Sequence, residues 1–196
     1  MKKALVDIVV SIFIVLVIAA AGELLFPNDD INTNMLITIA SLAAAVFFLA
    51  LRYDTIISAH NVCLSDIGIA IIVGILSNIP FVPISTESFV PYVSYNSSGK
   101  FIFVLCIFIL LPISEEIYFR GLLYKIISKY FGICASGIIT VFVFTLAHIG
   151  QEGIIIVALS GIMYTWLTYR AGNAIPAILA HSTHNLVWFI AATLKT

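Results

Sequence analysis

Apolar residues run along this chain in long uninterrupted stretches rather than at the spacing of one helix face or in strand-like alternation. A helix that crosses a bilayer needs about 20 mostly apolar residues. Such stretches cover Ala4 to Leu25, Met35 to Leu51, Ile67 to Val82, Phe101 to Lys129, Ile133 to Ile149, Ile154 to Tyr169 and Ile175 to Leu194. The first follows Lys2 and Lys3 and has the look of a signal peptide, with Ala19-Ala20-Ala21-Gly22 as a cleavage-like site. It is longer than a signal core and further stretches follow, so it reads as a retained span. Asp7 and Glu23 fall near its ends, where carboxylates are expected to reach the interface.

Polar punctuation separates the stretches. Pro27-Asn28-Asp29-Asp30 reads as a turn, Arg52 to Ser65 as a connector, and Ser85 to Lys100 as a loop rich in Ser, Asn, Tyr and Pro. That loop holds the sequon Asn96-Ser97-Ser98, a short pattern that arises mostly by chance. Pro112 is expected to bend the fourth helix, and Gly132 to end it. Gly150 to Gly153 reads as a break and Arg170 to Ala174 as a turn. The predicted architecture is an all-α transmembrane bundle of about seven spans, between six and eight. Residues 1–100 form its N-terminal spans and loop, and residues 101–196 a membrane domain with the chemistry, the two integrated into one.

Composition agrees. Of 196 residues 62% are hydrophobic and 10% charged, and mean hydropathy is +1.15. A soluble domain carries about 25% charged residues, so a soluble globular protein and a disordered chain are both excluded. Net charge is −1, which leaves no basic excess for nucleic acid. With seven spans and a cytoplasmic N-terminus, Lys2, Lys3, Arg52, Lys125, Lys129 and Arg170 share one side. Asp29, Asp30, Glu87 and Glu152 share the other, as the positive-inside tendency requires. Lys100 and Lys195 depart from it. The expected location is a bacterial plasma membrane, with lipids as neighbours. Cys63, Cys106 and Cys134 are odd in number and lack close pairing, so they read as apolar packing thiols.

An ionisable residue inside a membrane is costly and marks function by default. Here Ser114-Glu115-Glu116-Ile117-Tyr118-Phe119-Arg120 lies within the fourth stretch, His148 late in the fifth, and His181, His184 and Asn185 in the seventh; His60 alone is in a connector. Glu116 and Arg120 share a helix face at a spacing of four, as do Phe144 with His148 and His181 with Asn185. A tight turn at Phe131-Gly132 would leave Glu115 16 residues before it and His148 16 after it, hence at one depth. His181 lies about 12 Å from its membrane edge and Glu115 about 24 Å from its turn, so the depths match if the fourth and fifth helices project beyond the bilayer. A carboxylate and an imidazole at one depth can hold and deprotonate water. A second His with an Asn can donate hydrogen bonds to an oxyanion, and Arg120 can neutralise the neighbouring carboxylate. His184 reads as structural or as a support behind the site, and Tyr118, Phe119, Phe144 and Trp166 as packing residues. Gly137, Gly153 and Gly161 are expected to permit close helix approach. The alternative for Glu115, Glu116 and Arg120 is a structural ion-pair network.

Glu115-Glu116-x-x-x-Arg120 with Phe119 and Gly121, then Phe144-x-x-x-His148, then His181-x-x-x-Asn185, resemble the three motifs of the CAAX-protease and bacteriocin-processing family, also called Abi or type II CAAX prenyl endopeptidases. The resemblance covers about Leu110 to Trp188. It implies an eight-helix-like intramembrane endopeptidase, of glutamate or metallo type, acting on a hydrophobic or lipid-bearing peptide. Glu115 and His148 would activate water, His181 and Asn185 would form the oxyanion hole, and Glu116 and Arg120 would organise the site. The chain ends soon after the helix bearing His181, so seven spans rather than eight are expected. No cofactor is required on this reading; the alternative is Zn²⁺ held by Glu115, His148 and His181. Set against proteolysis are two other readings. One is a non-proteolytic protein of the same fold that gives bacteriocin immunity or regulates a membrane partner. The other is a small transporter, for which paired broken repeats are missing. Oligomeric state and the identity of the substrate are not legible.

Overall fold

The computed structural model describes residues 2–26, 31–53, 62–78, 97–149 and 153–193. The expected turn at 27–30, most of the connector at 54–61, the stretch 79–96 with Asn96 of the sequon, the break at 150–152, and residues 194–196 lie outside the described residues. Among the described residues every regular element is helical, and the chain is an all-α membrane protein. The helices are α1 (Lys2–Leu25), α2 (Ile31–Ala50), α3 (Leu64–Leu76), α4 (Ser97–Leu105), α5 (Leu111–Glu116), α6 (Tyr124–Leu146), α7 (Ile154–Ala171) and α8 (Ile175–Thr193). Two π-helical turns, Cys106–Leu110 and Ile117–Leu123, join α4 to α5 and α5 to α6.

Polarity is inverted relative to a water-soluble bundle. On α1 the outward face is Leu5, Val9, Phe13 and Leu16, while Asp7 and Ser11 are buried. Among the described residues four helical stretches are long and apolar enough to cross a bilayer: Lys2–Gly22, Asn32–Ala50, Phe101–Leu146 and Ile154–Ala171. Each sequence-predicted stretch falls at least partly within a helix, but not all meet that standard. Helix α3 has 13 residues, about 20 Å of rise. In α8 the polar run His181 to Asn185 interrupts the apolar residues.

Three packing relations set the site. Helices α1 and α2 form an antiparallel hairpin, with Asp7 meeting Arg52 and Tyr53 at one end and Gly22 meeting Ile37 at the other. Asp7 was expected at the water interface; it is instead buried, its carboxylate 2.9 Å from Arg52 Nε and accepting a 2.9 Å bond from the Tyr53 hydroxyl. A buried carboxylate retains its charge only with such partners. Burial, and then the Asp7 carboxylate, push the Tyr53 hydroxyl up to about 12. In the second relation the rod 97–146 folds back at Gly132, whose φ of 81° and ψ of 169° break the helix. Phe119 and Phe144 rings consequently stand 5.1 Å apart. The third is the seat of α8. It runs parallel to α3, where a Cβ on Gly74 would come within 2.5 Å of the Ala180 carbonyl and 2.6 Å of Thr183 Cβ. It also runs antiparallel to the segment around Cys106–Leu110, where Phe189 meets Phe103 and Phe108.

Pro112 does not break its helix. A π turn precedes it, and helix continues on both sides. The helix also begins at Ser97, earlier than the polar loop Ser85 to Lys100 suggested. Of the three glycines expected at close helix contacts, Gly161 fits: a Cβ there would lie 3.2 Å from Phe144 and 3.4 Å from Arg120. Gly137 meets only an ordinary contact, 3.8 Å to Thr165, and Gly153 is required by its φ of +79°.

Gly74→Ala is expected to lower thermal stability in detergent by about 1–3 kcal/mol through overpacking. Gly68→Ala, with nothing within 4 Å of the new methyl, should not lower it. In a tyrosine difference titration against Tyr53→Phe, Tyr53 should ionise near pH 12. Its raised value means that its stabilisation is complete below about pH 10 and lost as pH climbs through 12. Asp7→Asn should bring the transition down toward the ordinary value.

Candidate active site

The fold-back at Gly132 makes the first contact. Glu115 and His148 are 33 residues apart, which along one straight helix would be about 50 Å. Reversal brings His148 Nε2 to 3.7 Å from Glu115 Oε2. His148 Nδ1 is 2.8 Å from the Phe144 carbonyl one turn back. A carbonyl only accepts, so Nδ1 carries the hydrogen and, in the neutral ring, Nε2 presents a lone pair toward Glu115. The Phe144 ring lies against His148 at 4.4 Å and holds its plane.

Helix α8 makes the second contact. His181 Nε2 is 4.0 Å from the same Glu115 Oε2, and its Nδ1 is 3.0 Å from Glu116 Oε1. Tyr164 of α7 stacks on the His181 ring at 5.2 Å and 23°. Both imidazoles therefore direct Nε2 to one carboxylate oxygen while a separate acceptor holds Nδ1. Glu115 Oε2 is buried and has no hydrogen-bond partner. Separations of 3.7 and 4.0 Å exceed a direct hydrogen bond and suit bridging by a small polar molecule.

Beneath Glu115 is a fully buried ion pair. Glu116 and Arg120, both 0% exposed, meet at 2.9 Å. Glu116 Oε1 thus accepts from both Arg120 and His181, one oxygen tying the fourth stretch to the seventh. Arg120 also donates from Nη2 to the Gly161 carbonyl at 3.1 Å and from Nε to Thr165 Oγ1 at 3.4 Å. Its guanidinium lies over the Phe144 ring at 4.2 Å, with Tyr164 at 5.6 Å and Phe119 at 5.8 Å. In a low-dielectric interior such saturation is what keeps a buried cation tolerable.

Asn185 lies one turn beyond His181 on α8. Its Nδ2 donates to the Ile107 carbonyl at 2.8 Å, which uses one of two N–H bonds. His184 has other partners: Nδ1 is 2.7 Å from Ser77 Oγ, and Asn78 Nδ2 donates to its carbonyl at 3.3 Å.

All six residues singled out from sequence are accounted for. Glu115, Glu116, Arg120, His148 and His181 share direct contacts, and Asn185 follows His181 by one turn. Sequence reasoning missed Thr165, Tyr164 and the Gly161 and Ile107 carbonyls. A signal existed for the first two: polar positions recur four apart along α7, at Ser160, Tyr164 and Thr168, beside Gly161 and Thr165. Nothing in a sequence marks a particular carbonyl as free. Phe144 was read as packing, yet its ring touches both Arg120 and His148.

Among the described residues no group of three or more His, Cys, Asp and Glu side chains is arranged to hold a metal ion. Glu115 Oε2 lies 3.7 and 4.0 Å from the Nε2 atoms of His148 and His181, and the Nδ1 of His181 is held by Glu116. The chemistry open to view is that of the side chains themselves: a carboxylate flanked by two imidazoles over a charge-compensated floor.

No curated protein and no solved structure matches the chain. Residues 97–187, the segment that holds every residue of the cluster, match the family model described as type II CAAX prenyl endopeptidase Rce1-like.

Proposed function

We propose that the protein is an intramembrane endopeptidase that hydrolyses a peptide bond in a hydrophobic or lipid-bearing peptide with a water activated by Glu115 and His148. The observation that supports this most directly is the single carboxylate oxygen, Glu115 Oε2, facing two Nε2 atoms at 3.7 and 4.0 Å inside an apolar bundle. An ionised Glu115 and a neutral His148 are both acceptors. A water between them donates one hydrogen to each and turns its own lone pair outward, toward a substrate carbonyl.

The reaction then balances on the chain's own groups. The water oxygen bonds to the carbonyl carbon as its proton passes to Glu115. The carbonyl electrons move to oxygen, and that oxyanion accepts from His181 Nε2–H and from the second N–H of Asn185. As the tetrahedral intermediate collapses, the C–N bond breaks and Glu115 returns the proton to the leaving amine. Two carboxylates and one Arg120 leave an excess negative charge; a proton on His181 brings the cluster to neutrality and gives Nε2 its donor. Glu116, held by Arg120, orients His181 rather than touching substrate. No metal enters any of these steps. The Lys and Arg distribution favours a cytoplasmic N-terminus, and a bacterial membrane remains our reading of the setting.

Peptides released in proteoliposomes by wild type and by Glu115→Gln, compared by mass spectrometry, test the reading. New termini should appear with wild type alone, and kcat should fall by about 10²-fold or more in the variant. Identical profiles with both proteins folded would instead favour the immunity or regulatory role. The same exchange one residue on should act differently. Glu116→Gln strips the partner from a buried guanidinium and should cost about 3–5 kcal/mol of stability, visible as a lowered Tm. Glu115→Gln should leave Tm near that of wild type.

A further inference from the structure

The Asn185 side chain is held by a carbonyl that regular helix geometry would have occupied. In an α-helix the Ile107 carbonyl accepts from the N–H of Leu111. Here Leu111 N–H bonds instead to the Cys106 carbonyl, five residues back, which closes the π turn Cys106–Leu110. In that wider turn the natural donor to Ile107 is residue 112, and residue 112 is proline, which has no N–H. Both backbone donors are thus denied to Ile107. The residue is buried, so its carbonyl needs another partner. That partner is Asn185 Nδ2 at 2.8 Å.

We propose that Pro112 is a positioning residue for Asn185: by withholding an N–H within the π turn it leaves the Ile107 carbonyl free to grip the Asn185 amide. The grip points one N–H at the carbonyl and fixes the direction of the other. Pro112 stands three residues before Glu115, so the same short segment carries the carboxylate and aims the amide. π turns inside α-helices recur at functional sites, and here the turn has an identifiable task. Any catalytic consequence rests on Asn185 acting as an oxyanion donor, as set out above; the grip itself does not.

Four proteins test this: wild type, Pro112→Ala, Asn185→Ala and the double variant, each followed by thermal unfolding in detergent and by kcat and KM on the peptide that the cleavage comparison identifies. Pro112→Ala restores a donor to Ile107. It should leave Tm unchanged or raised, because an internal proline is lost from a helix, and should lower kcat by about 10²-fold with KM little changed. A residue that served only to stabilise the helix would move both together. Asn185→Ala should lower Tm in the wild-type background by stranding the Ile107 carbonyl, and lower it distinctly less in the Pro112→Ala background, where the carbonyl has its backbone donor again. kcat losses should likewise fail to add. Additive effects on Tm would overturn the proposal. Coupled Tm changes with kcat untouched by every variant would uphold the positioning and remove Asn185 from the reaction.

Discussion

The site depends on one buried carboxylate oxygen. Glu116 Oε1 accepts from Arg120 on its own helix and from His181 on α8. A carboxylate with no exposure in an apolar bundle costs several kcal/mol unless its charge is met. Arg120 meets it, and must be met in turn by Gly161, Thr165 and the face of Phe144. The requirement thus spreads from one residue to three helices. Removing a charged member leaves its partner unpaired in the apolar interior, so the network specifies the mutual positions of α5, α6, α7 and α8 as well as their attraction.

Above this floor Glu115 occupies a different environment only one residue away. It makes no hydrogen bond from Oε2 and faces imidazole nitrogens at distances too long for direct bonding. Adjacent residues on a helix point about 100° apart, and that angle separates a saturated structural carboxylate from an unsaturated one. The contrast is the physical basis for assigning chemistry to Glu115 and support to Glu116. The aromatic rings serve both levels. Phe144 carries Arg120 on one side and abuts His148 on another, and Tyr164 stacks on His181.

Departures from regular helix concentrate where this cluster is built. π turns lie on either side of Glu115 and Glu116, and Gly132 reverses the chain at the distance needed to return His148 to Glu115. In a bundle without a hydrophobic drive between helices, close contact depends on small residues and on hydrogen bonds. Gly74 against α8 and Gly161 against Phe144 and Arg120 supply the first. Asn185 on Ile107, Ser77 on His184 and Arg170 on Asp66 supply the second.

Much of this was legible in the residues alone. Long apolar runs declare membrane helices because lipid demands apolar surface on every outward face, and ionisable residues inside them stand out for the same reason. The equal offsets of Glu115 and His148 from the Phe131-Gly132 turn set their common depth, since helical rise is constant and a glycine there lets the chain turn. Local spacing likewise pairs Glu116 with Arg120. What the sequence left open was everything that depends on a partner from a distant segment. Asp7 looked like an interfacial carboxylate until α2 brought Arg52 and Tyr53 to it. Motif spacing singled out His181 over His184, but what turns its ring to the carboxylates is the rotation of α8 against α3, through Gly74 and Ser77. The π turn before Pro112, and with it the carbonyl offered to Asn185, arises from backbone geometry that no residue type announces. Helical periodicity is local and can be counted along a chain, whereas the rotation of one helix against another and the satisfaction of a particular carbonyl are decided only when the helices pack.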